Sequence, residues 1–399
     1  MDRVTKRIHE ATKELPRRFL EKKVAEKIRE AGVDDAKTIA PKLLEHFLSG
    51  STEPFVWDDG RDTPSPNIAI SLKDEDLDDA LRKASAFIAN DLPKVLKDTA
   101  DQGAKNVLAT LKKRWPAQAQ WEDDTMTVFR YNLEVRWGRA LDLLRMLLTL
   151  AREAGDTRLK RYKRLKTHKQ PQLWGVLFRL HARSCQVAGE IVTLLENGLA
   201  DGAMARWRTL YEIGVVATLL ADHGEDIANR YVAHEVVEAK SAMDEYERSQ
   251  VPLGRPPYAK RERARILNGY AKAIDLYGKE FASTYGWAAH HLKRKKPIFP
   301  DLEAAADRAQ MRSYYKMASY NVHASPKGIF FRHSTLEPTM NIIAGASNVG
   351  LSEPGQNTAF TLTLITGLLY GPRYTFVDVI SLKAMIALRN EIPGAFVRA

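Results

Sequence analysis

Residues 172–199 read QLWGVLFRLHARSCQVAGEIVTLLENGL, the longest uninterrupted helical pattern in the chain. Apolar or small side chains recur in it every three or four residues, so they share one face of a helix. They are Leu173, Leu177, Leu180, Ser184, Cys185, Ala188, Ile191, Val192 and Leu195. Pro171 favours a helix start, and Asn197-Gly198 favours a helix end. The stretch predicts a long core helix.

The same periodicity dominates the chain on both sides of this stretch. It predicts helices over 16–30, 35–49, 74–90, 91–113, 125–155, 202–222, 225–249, 258–279 and 301–323, with two more helices after residue 356. Residues 54–57 and 67–72 differ, because apolar residues alternate there between turn formers, which predicts a small hairpin. Residues 329–331 predict a short extended piece. The expected fold is mostly α, with a small N-terminal α+β domain and a large C-terminal helical bundle.

Composition predicts three parts along the chain. The first is an N-terminal extension over 1–120, and the second is a connecting long helix and basic loop over 121–170. The third is an all-helical domain over 171–399. The boundary between the last two is a basic stretch, because Arg158 to Lys169 contains seven Lys or Arg, one His and no acid.

The overall charge and the missing motifs limit the classes of function. A net charge of +11 favours a polyanionic partner, RNA more than DNA, or simply good solubility. The single cysteine, Cys185, excludes an intrachain disulfide and a Cys-based zinc cluster. No metal-ligand spacing, phosphate-binding loop or dinucleotide fingerprint occurs, so we expect no metal and no cofactor. No signal sequence or membrane-spanning run is visible, which predicts a cytoplasmic protein that does not bind membranes.

Two basic clusters are the candidate nucleic-acid-binding residues. They comprise Lys160, Arg161, Lys163, Arg164 and Lys166, and Lys293, Arg294, Lys295 and Lys296. Tyr162 lies within the first cluster, and an aromatic ring among cations is typical of surfaces that follow a phosphate backbone. A second interpretation stays open for this cluster. The segment 53–79 contains nine Asp or Glu residues and would neutralise it internally.

The candidate catalytic stretch is SYNVHASPKG at 319–328. On a helix over 301–323, Arg312, Lys316, Ser319 and His323 would share one polar stripe, with Tyr320 at its border. His323 would act as general base, helped by Ser319 or Tyr320. The alternative is a solvated helix face whose histidine meets the last carbonyl groups.

A second polar element is RWRTLYE at 206–212, in which Arg208 and Glu212 are one helical turn apart. In a functional interpretation, Arg206 or Arg208 reaches a pocket beneath His323, and Arg208 binds phosphate together with Arg312. In a structural interpretation, the Arg208–Glu212 pair is an architectural clamp between helices.

Three elements together resemble an uncharacterised bacterial family of unknown function, over about 172–390. They are Arg-x-Leu-x-Glu at 208–212, Tyr-Gly-Trp-Ala at 285–288 and Ser-x-x-x-His-Ala-Ser-Pro-x-Gly at 319–328. The resemblance implies an all-helical domain and a distant likeness to the HEPN fold, whose members include RNA-cleaving toxins and phage-defence effectors. The Arg-x4–6-His arrangement of HEPN ribonucleases occurs at Arg3–His9 and Arg161–His168, outside these elements.

Two functions are therefore expected from different classes. The first is an RNA-binding or RNA-cleaving protein, a metal-independent ribonuclease acting in phage defence. It would use His323, Ser319, Tyr320, Arg208, Glu212 and Arg312. The second is a non-enzymatic binding or scaffold module that forms a homodimer through its C-terminal domain.

Overall fold

The structure is a computed structural model that describes residues 3–58, 67–330, 332–335, 343–371 and 374–399. It is mostly α-helical and divides into two compact units, Met1–Trp121 and Glu122–Ala399. None of the helices in the described ranges is both long and apolar enough to cross a membrane.

The N-terminal unit is built around three helices that pack on one another. Its helices are α1 (Arg3–Lys13), α2 (Leu15–Glu30), α3 (Ala36–Leu48), α4 (Asp74–Ala86) and the first part of α5 (Leu92–Lys163), and one π-helical turn (Phe87–Asp91) joins the last two. α2 packs against α3 and α4, and Val24, Ile28 and Leu44 are fully or almost fully buried between them. At the start of α4, the Oδ2 of Asp76 lies 2.6 Å from the Nζ of Lys27 on α2, and this ion pair connects the two helices.

The predicted hairpin is wrong for the residues that the structure describes. Residues 54–58 and 67–73 contain no strand, and residues 59–66 lie outside the described ranges. The side chains explain the sequence pattern, because Phe55, Trp57, Ile70 and Leu72 pack as partly buried residues against the α2–α3 core. Alternating apolar residues therefore cover one face of a helical core without pairing as strands.

The long helix α5 replaces the two helices predicted over 91–113 and 125–155. It continues without interruption through Pro116 and through the basic residues up to Lys163, and the division between the two units falls within it. Ala, Lys, Leu and Gln dominate the stretch around Pro116, and these residues favour a helix. The predicted basic loop is thus helical as far as Lys163, and only residues 164–170 connect it to the next helix.

The C-terminal unit contains the rest of α5 and the helices that follow. They are α6 (Pro171–Glu196), α7 (Ala200–His223), α8 (Glu225–Ala233), α9 (Glu235–Ser249), α10 (Lys260–Tyr277), α11 (Gly286–Leu292), α12 (Phe299–Ala305), α13 (Arg312–Tyr320), α14 (Pro326–Phe330), α15 (Ser352–Leu368) and α16 (Phe376–Arg398). α7 packs between α6 and α15, and α15 also packs against α16.

The predicted face of the 172–199 helix is the face that α6 buries. Eight of its nine positions are buried, and Leu180 is partly buried against the core. Cys185 lies in this core, where burial raises the pKa of its thiol to about 11. The thiol is therefore a small apolar core group, as the sequence predicts.

Two predicted helices are broken in the structure. The 225–249 helix is interrupted at His234, a buried residue whose Nε2 lies 3.0 Å from the carbonyl oxygen of Ser283. The 301–323 helix is divided into α12 and α13 by a turn in which Asp307 has a left-handed φ of 52°. Residues 329 and 330, predicted as extended, belong to α14, and Phe331 lies outside the described residues.

Candidate functional site

Arg208 and Glu212 of α7 meet Tyr315 of α13 in a partly buried cluster. The Nε of Arg208 donates to the Oε1 of Glu212 at 3.1 Å, and the hydroxyl of Tyr315 donates to the same oxygen at 2.8 Å. The Arg208 guanidinium also lies over the Tyr315 ring, 4.9 Å from its centroid. Burial, followed by the hydrogen bond to Glu212, raises the pKa of Tyr315 to about 12. The phenol therefore stays protonated and serves as a hydrogen-bond donor.

Arg312 belongs to a neighbouring ion pair with a buried carboxylate. Its Nη1 donates to the Oε2 of Glu303 on α12, and Glu303 is only 1% exposed. The hydroxyl of Tyr211 donates to the carbonyl oxygen of Arg308 at 2.8 Å. Burial, together with the charge of Glu303, raises the pKa of Tyr211. The sequence did not predict Glu303 or Tyr211 as site residues, because the contacts that define their roles come from other parts of the chain.

Ser319 meets this cluster at the backbone of Tyr315, whereas His323 and Tyr320 lie outside it. α13 ends at Tyr320, so His323 lies in the following turn with an exposed side chain. The Ser319 hydroxyl donates back to the Tyr315 carbonyl at 2.8 Å, and the Tyr320 ring lies beneath the amino group of Lys327 at 5.2 Å. Within the described residues, His323 makes no hydrogen bond or ion pair with Arg208 or Glu212. The predicted polar stripe is wrong in its last member, because the helix ends before His323.

The contacts in the cluster fit an architectural clamp. Both arginines already pair with a carboxylate, so neither is a free cation for a phosphate. The rings between them pack closely: Tyr315 lies 4.9 Å from Phe299 and 5.7 Å from Tyr211, measured between centroids. The cluster thus connects α7, α12 and α13. Catalytic roles for these residues stay a prediction.

Two positions in the stretches that carry the family resemblance, Gly286 and Gly328, require glycine for a structural reason. A Cβ at Gly286 would lie 2.2 Å from the carbonyl oxygen of Phe281, and one at Gly328 would lie 2.0 Å from that of Tyr320. Only glycine allows these close backbone approaches. Next to Gly286, Trp287 is buried and meets Tyr231 edge to face at 5.2 Å. Both elements therefore fix turns of the helical domain.

The first basic cluster lies at the end of α5 and just beyond it, and not all of its charges are free. Arg161 donates to Asp378 of α16 at 2.8 Å, and Lys160 pairs with Asp156 at 2.5 Å on the same helix. Burial raises the pKa of Asp378, but hydrogen bonds from Thr375 and the charge of Arg161 outweigh it and leave this pKa below its usual value. Neutralisation of the cluster by residues 53–79 stays a prediction.

Lys163, Arg164 and Lys166 form the free part of this cluster. All three side chains are exposed. None of the carboxylates in the described part of the chain pairs with any of them. We call these three residues the basic edge.

A cluster of tilted aromatic rings lies beside the basic edge. The Tyr162 ring is 4.3 Å from the His168 ring, 5.4 Å from Phe178 and 6.3 Å from Trp174, measured between centroids. The sequence singled out only Tyr162. His168 follows it by six residues across a turn, and the other two rings are one turn apart at the start of α6. The sequence places Trp174 and Phe178 on one face of α6. Their contact with Tyr162 depends on the turn over 164–170, whose path the sequence does not show.

The second basic cluster follows α11. Lys293 takes a left-handed φ of 53° at the end of this helix, and the four side chains from Lys293 to Lys296 are exposed. Arg294 lies 3.9 Å from Asp301, a weak surface ion pair. In the described part of the chain, no group of three or more His, Cys, Asp or Glu residues is placed to hold a metal ion.

Residues 175–340 match a family of unknown function, DUF5677. The matched stretch contains all three elements that carry the resemblance, and the expected similarity to an uncharacterised family is confirmed over it. It spans less than half of the 399-residue chain. No curated protein and no solved structure matches the chain. The likeness to the HEPN fold therefore stays a prediction.

Proposed function

We propose that this protein binds RNA or another polyanion at the end of α5. The observation that carries the proposal is the basic edge of Lys163, Arg164 and Lys166 beside the packed rings of Tyr162 and His168. Free cations attract a phosphate backbone, and an exposed ring such as that of His168 can stack on an unpaired base. The combination favours single-stranded RNA, because unstacked bases in single strands are the usual target of aromatic side chains.

The anchored arginine supports the same proposal. Arg161 is held by Asp378 and by the hydroxyl of Thr375 at 3.0 Å, so the last turn of α5 is fixed to α16. The basic edge therefore starts from a held helix end, which lowers the entropy lost when its side chains bind. The Lys293–Lys296 cluster would add a second contact to a longer strand.

The test neutralises the basic edge. We expect the triple variant Lys163→Gln/Arg164→Gln/Lys166→Gln to bind a fluorescent single-stranded RNA at least about tenfold more weakly at low salt, because it loses three phosphate contacts. The matched control removes three exposed charges from α10, as Lys260→Gln/Arg261→Gln/Arg265→Gln. Fluorescence anisotropy measures both. Equal weakening by the two triple variants would show that only net charge matters and would contradict the proposed surface.

The same samples test the enzymatic part of the proposal, a HEPN-like ribonuclease in phage defence. RNA is incubated with wild type or with His323→Ala and is then analysed on a denaturing gel. Cleavage that disappears in the variant, with unfolding unchanged, would give His323 a catalytic role. Intact RNA with wild type would leave binding as the function.

A second candidate function is self-association through the C-terminal unit. An apolar face at the start of α16 supports it: Tyr374, Phe376, Val377 and Ile380 are 64%, 79%, 61% and 53% exposed. Several large apolar side chains exposed together mark interaction sites more often than single ones do.

We expect wild type to be a dimer at micromolar concentration and Phe376→Ser/Val377→Ser to be a monomer, measured by size-exclusion chromatography with light scattering. Val397→Ser, which changes a side chain that is 80% exposed at the other end of α16, is the control and should stay dimeric. A monomeric wild type would contradict this candidate.

A further inference from the structure

A cavity of about 440 Å³ opens between α7, α15, α16 and the segment before α13. Its volume is within the range of small-molecule sites. Most of its wall is apolar, with side chains from all four elements: Val215, Met311, Leu364, Leu368, Leu382 and Ile386. The surface lies within the C-terminal unit and includes no residue of the basic edge.

Two arginines line the cavity, and none of its lining residues is acidic. They are Arg308 and Arg389. The Nε of Arg308 is buried and has no hydrogen-bond acceptor among the described residues. Among the described residues, Arg389 donates only to the side-chain oxygen of its neighbour Asn390, and its guanidinium lies 5.4 Å from the centroid of the Phe360 ring. Both positive charges are therefore without a carboxylate partner in this part of the protein.

The remaining polar groups of the wall are largely satisfied. The hydroxyls of Thr361 and Thr363 donate to the carbonyl oxygens of Asn357 and Ala359, one turn earlier on α15. The Thr361 oxygen also accepts from the indole N–H of Trp207. A ligand rich in hydroxyls or amides would find few partners here, whereas an apolar body would fit the wall.

We propose that this cavity binds a small amphipathic carboxylate, with one anionic head and an apolar body, such as a medium-chain fatty acid. The carboxylate accepts hydrogen bonds from Arg308 and Arg389, in the planar geometry that suits guanidinium groups. The hydrocarbon chain of the ligand contacts the leucine and isoleucine side chains of α15 and α16. This inference does not depend on RNA binding.

Isothermal titration calorimetry on the full chain tests the proposal with decanoate as the probe. We expect saturable binding of decanoate, at least about tenfold weaker binding by Arg308→Gln and by Arg389→Gln, and unchanged binding by Arg265→Gln. Decanol, which has the chain without the charge, and acetate, which has the charge without the chain, should both bind at least about tenfold more weakly.

A second variant places a larger side chain at the cavity wall. Gly367 lines the cavity, and within 4 Å a Cβ there would meet only the Cδ1 of Leu382, at 3.8 Å, so Gly367→Leu adds its side chain at the wall. Leucine favours a helix more than glycine does, and the unfolding midpoint should therefore be maintained. We expect this variant to lose decanoate binding. The proposal is overturned if wild type takes up no decanoate, if Gly367→Leu binds it as wild type does, or if decanol binds equally well.

Discussion

Arg312→Met is expected to lower the free energy of unfolding by about 3 kcal/mol, because it leaves a buried carboxylate without its cation. Glu303 is 1% exposed, and its Oε2 is paired with Arg312. Its other oxygen, Oε1, is buried and makes no hydrogen bond within the described residues. Methionine keeps most of the aliphatic length of arginine, so the loss reports on the charge more than on packing. Urea unfolding followed by circular dichroism measures it.

Two further variants give this experiment its controls. Lys316→Met removes an exposed charge from the same helix and should change stability by less than about 0.5 kcal/mol. In the double variant Glu303→Gln/Arg312→Met the buried charge is gone, and most of the lost stability should return. If Arg312→Met were as stable as wild type, the clamp would be wrong, and Arg312 would again be a candidate phosphate ligand.

His181 is expected to make the protein lose about 3 kcal/mol of stability as the pH falls from about 6.5 to about 4. The side chain is 4% exposed, and burial lowers its pKa from 6.5 to about 4. The Thr366 hydroxyl donates to the carbonyl oxygen of Leu362, so its oxygen accepts from His181 Nε2 at 3.1 Å. The unfolded chain takes up a proton near 6.5 and the folded chain only near 4. Stability is therefore full above this window, falls through it and levels off below it.

His181→Gln isolates this effect, because glutamine keeps a donor for Thr366 and does not titrate. The difference in unfolding free energy between wild type and variant is measured at about pH 7 and about pH 4.5. The unfolding free energy of the variant, relative to that of wild type, should be higher at about pH 4.5 than at about pH 7. A difference that stays constant between the two pH values would mean that folding does not lower the pKa of His181.

The helices themselves were predictable where an apolar stripe is long and lies on one face. The core face of α6 at Leu173, Leu177 and Ile191 follows from the sequence, because burial on one side of a helix imposes a period of 3.6 residues. Helix ends were harder. α5 continues past Pro116, and the chain breaks at Asp307, where the backbone takes a left-handed φ. The spacing of apolar residues predicts neither of these backbone conformations.

The N-terminal hairpin failed for a related reason. Phe55, Trp57, Ile70 and Leu72 alternate as strand residues do, yet they cover a helical core. Alternation records that one side of a segment is buried, and it does not show whether the segment finds a partner strand.

The candidate site was predictable only where it is local. Arg208 and Glu212 are one turn apart on α7, so their pairing followed from helix geometry. The partners that decide their role, Tyr315 and its neighbour pair Glu303–Arg312, come from helices about 100 residues later. The same holds for Tyr162, whose meeting with Trp174 depends on the turn between α5 and α6.

The most direct test of polyanion binding is the salt dependence of RNA affinity for wild type and for the Lys163→Gln/Arg164→Gln/Lys166→Gln variant. We expect the logarithm of the association constant to fall linearly with the logarithm of salt concentration for wild type. The magnitude of that slope should decrease by about 2 in the variant, since each phosphate contact to a single strand contributes about 0.7. The same slope for both proteins, or no binding by wild type at low salt, would contradict the proposed surface at the end of α5.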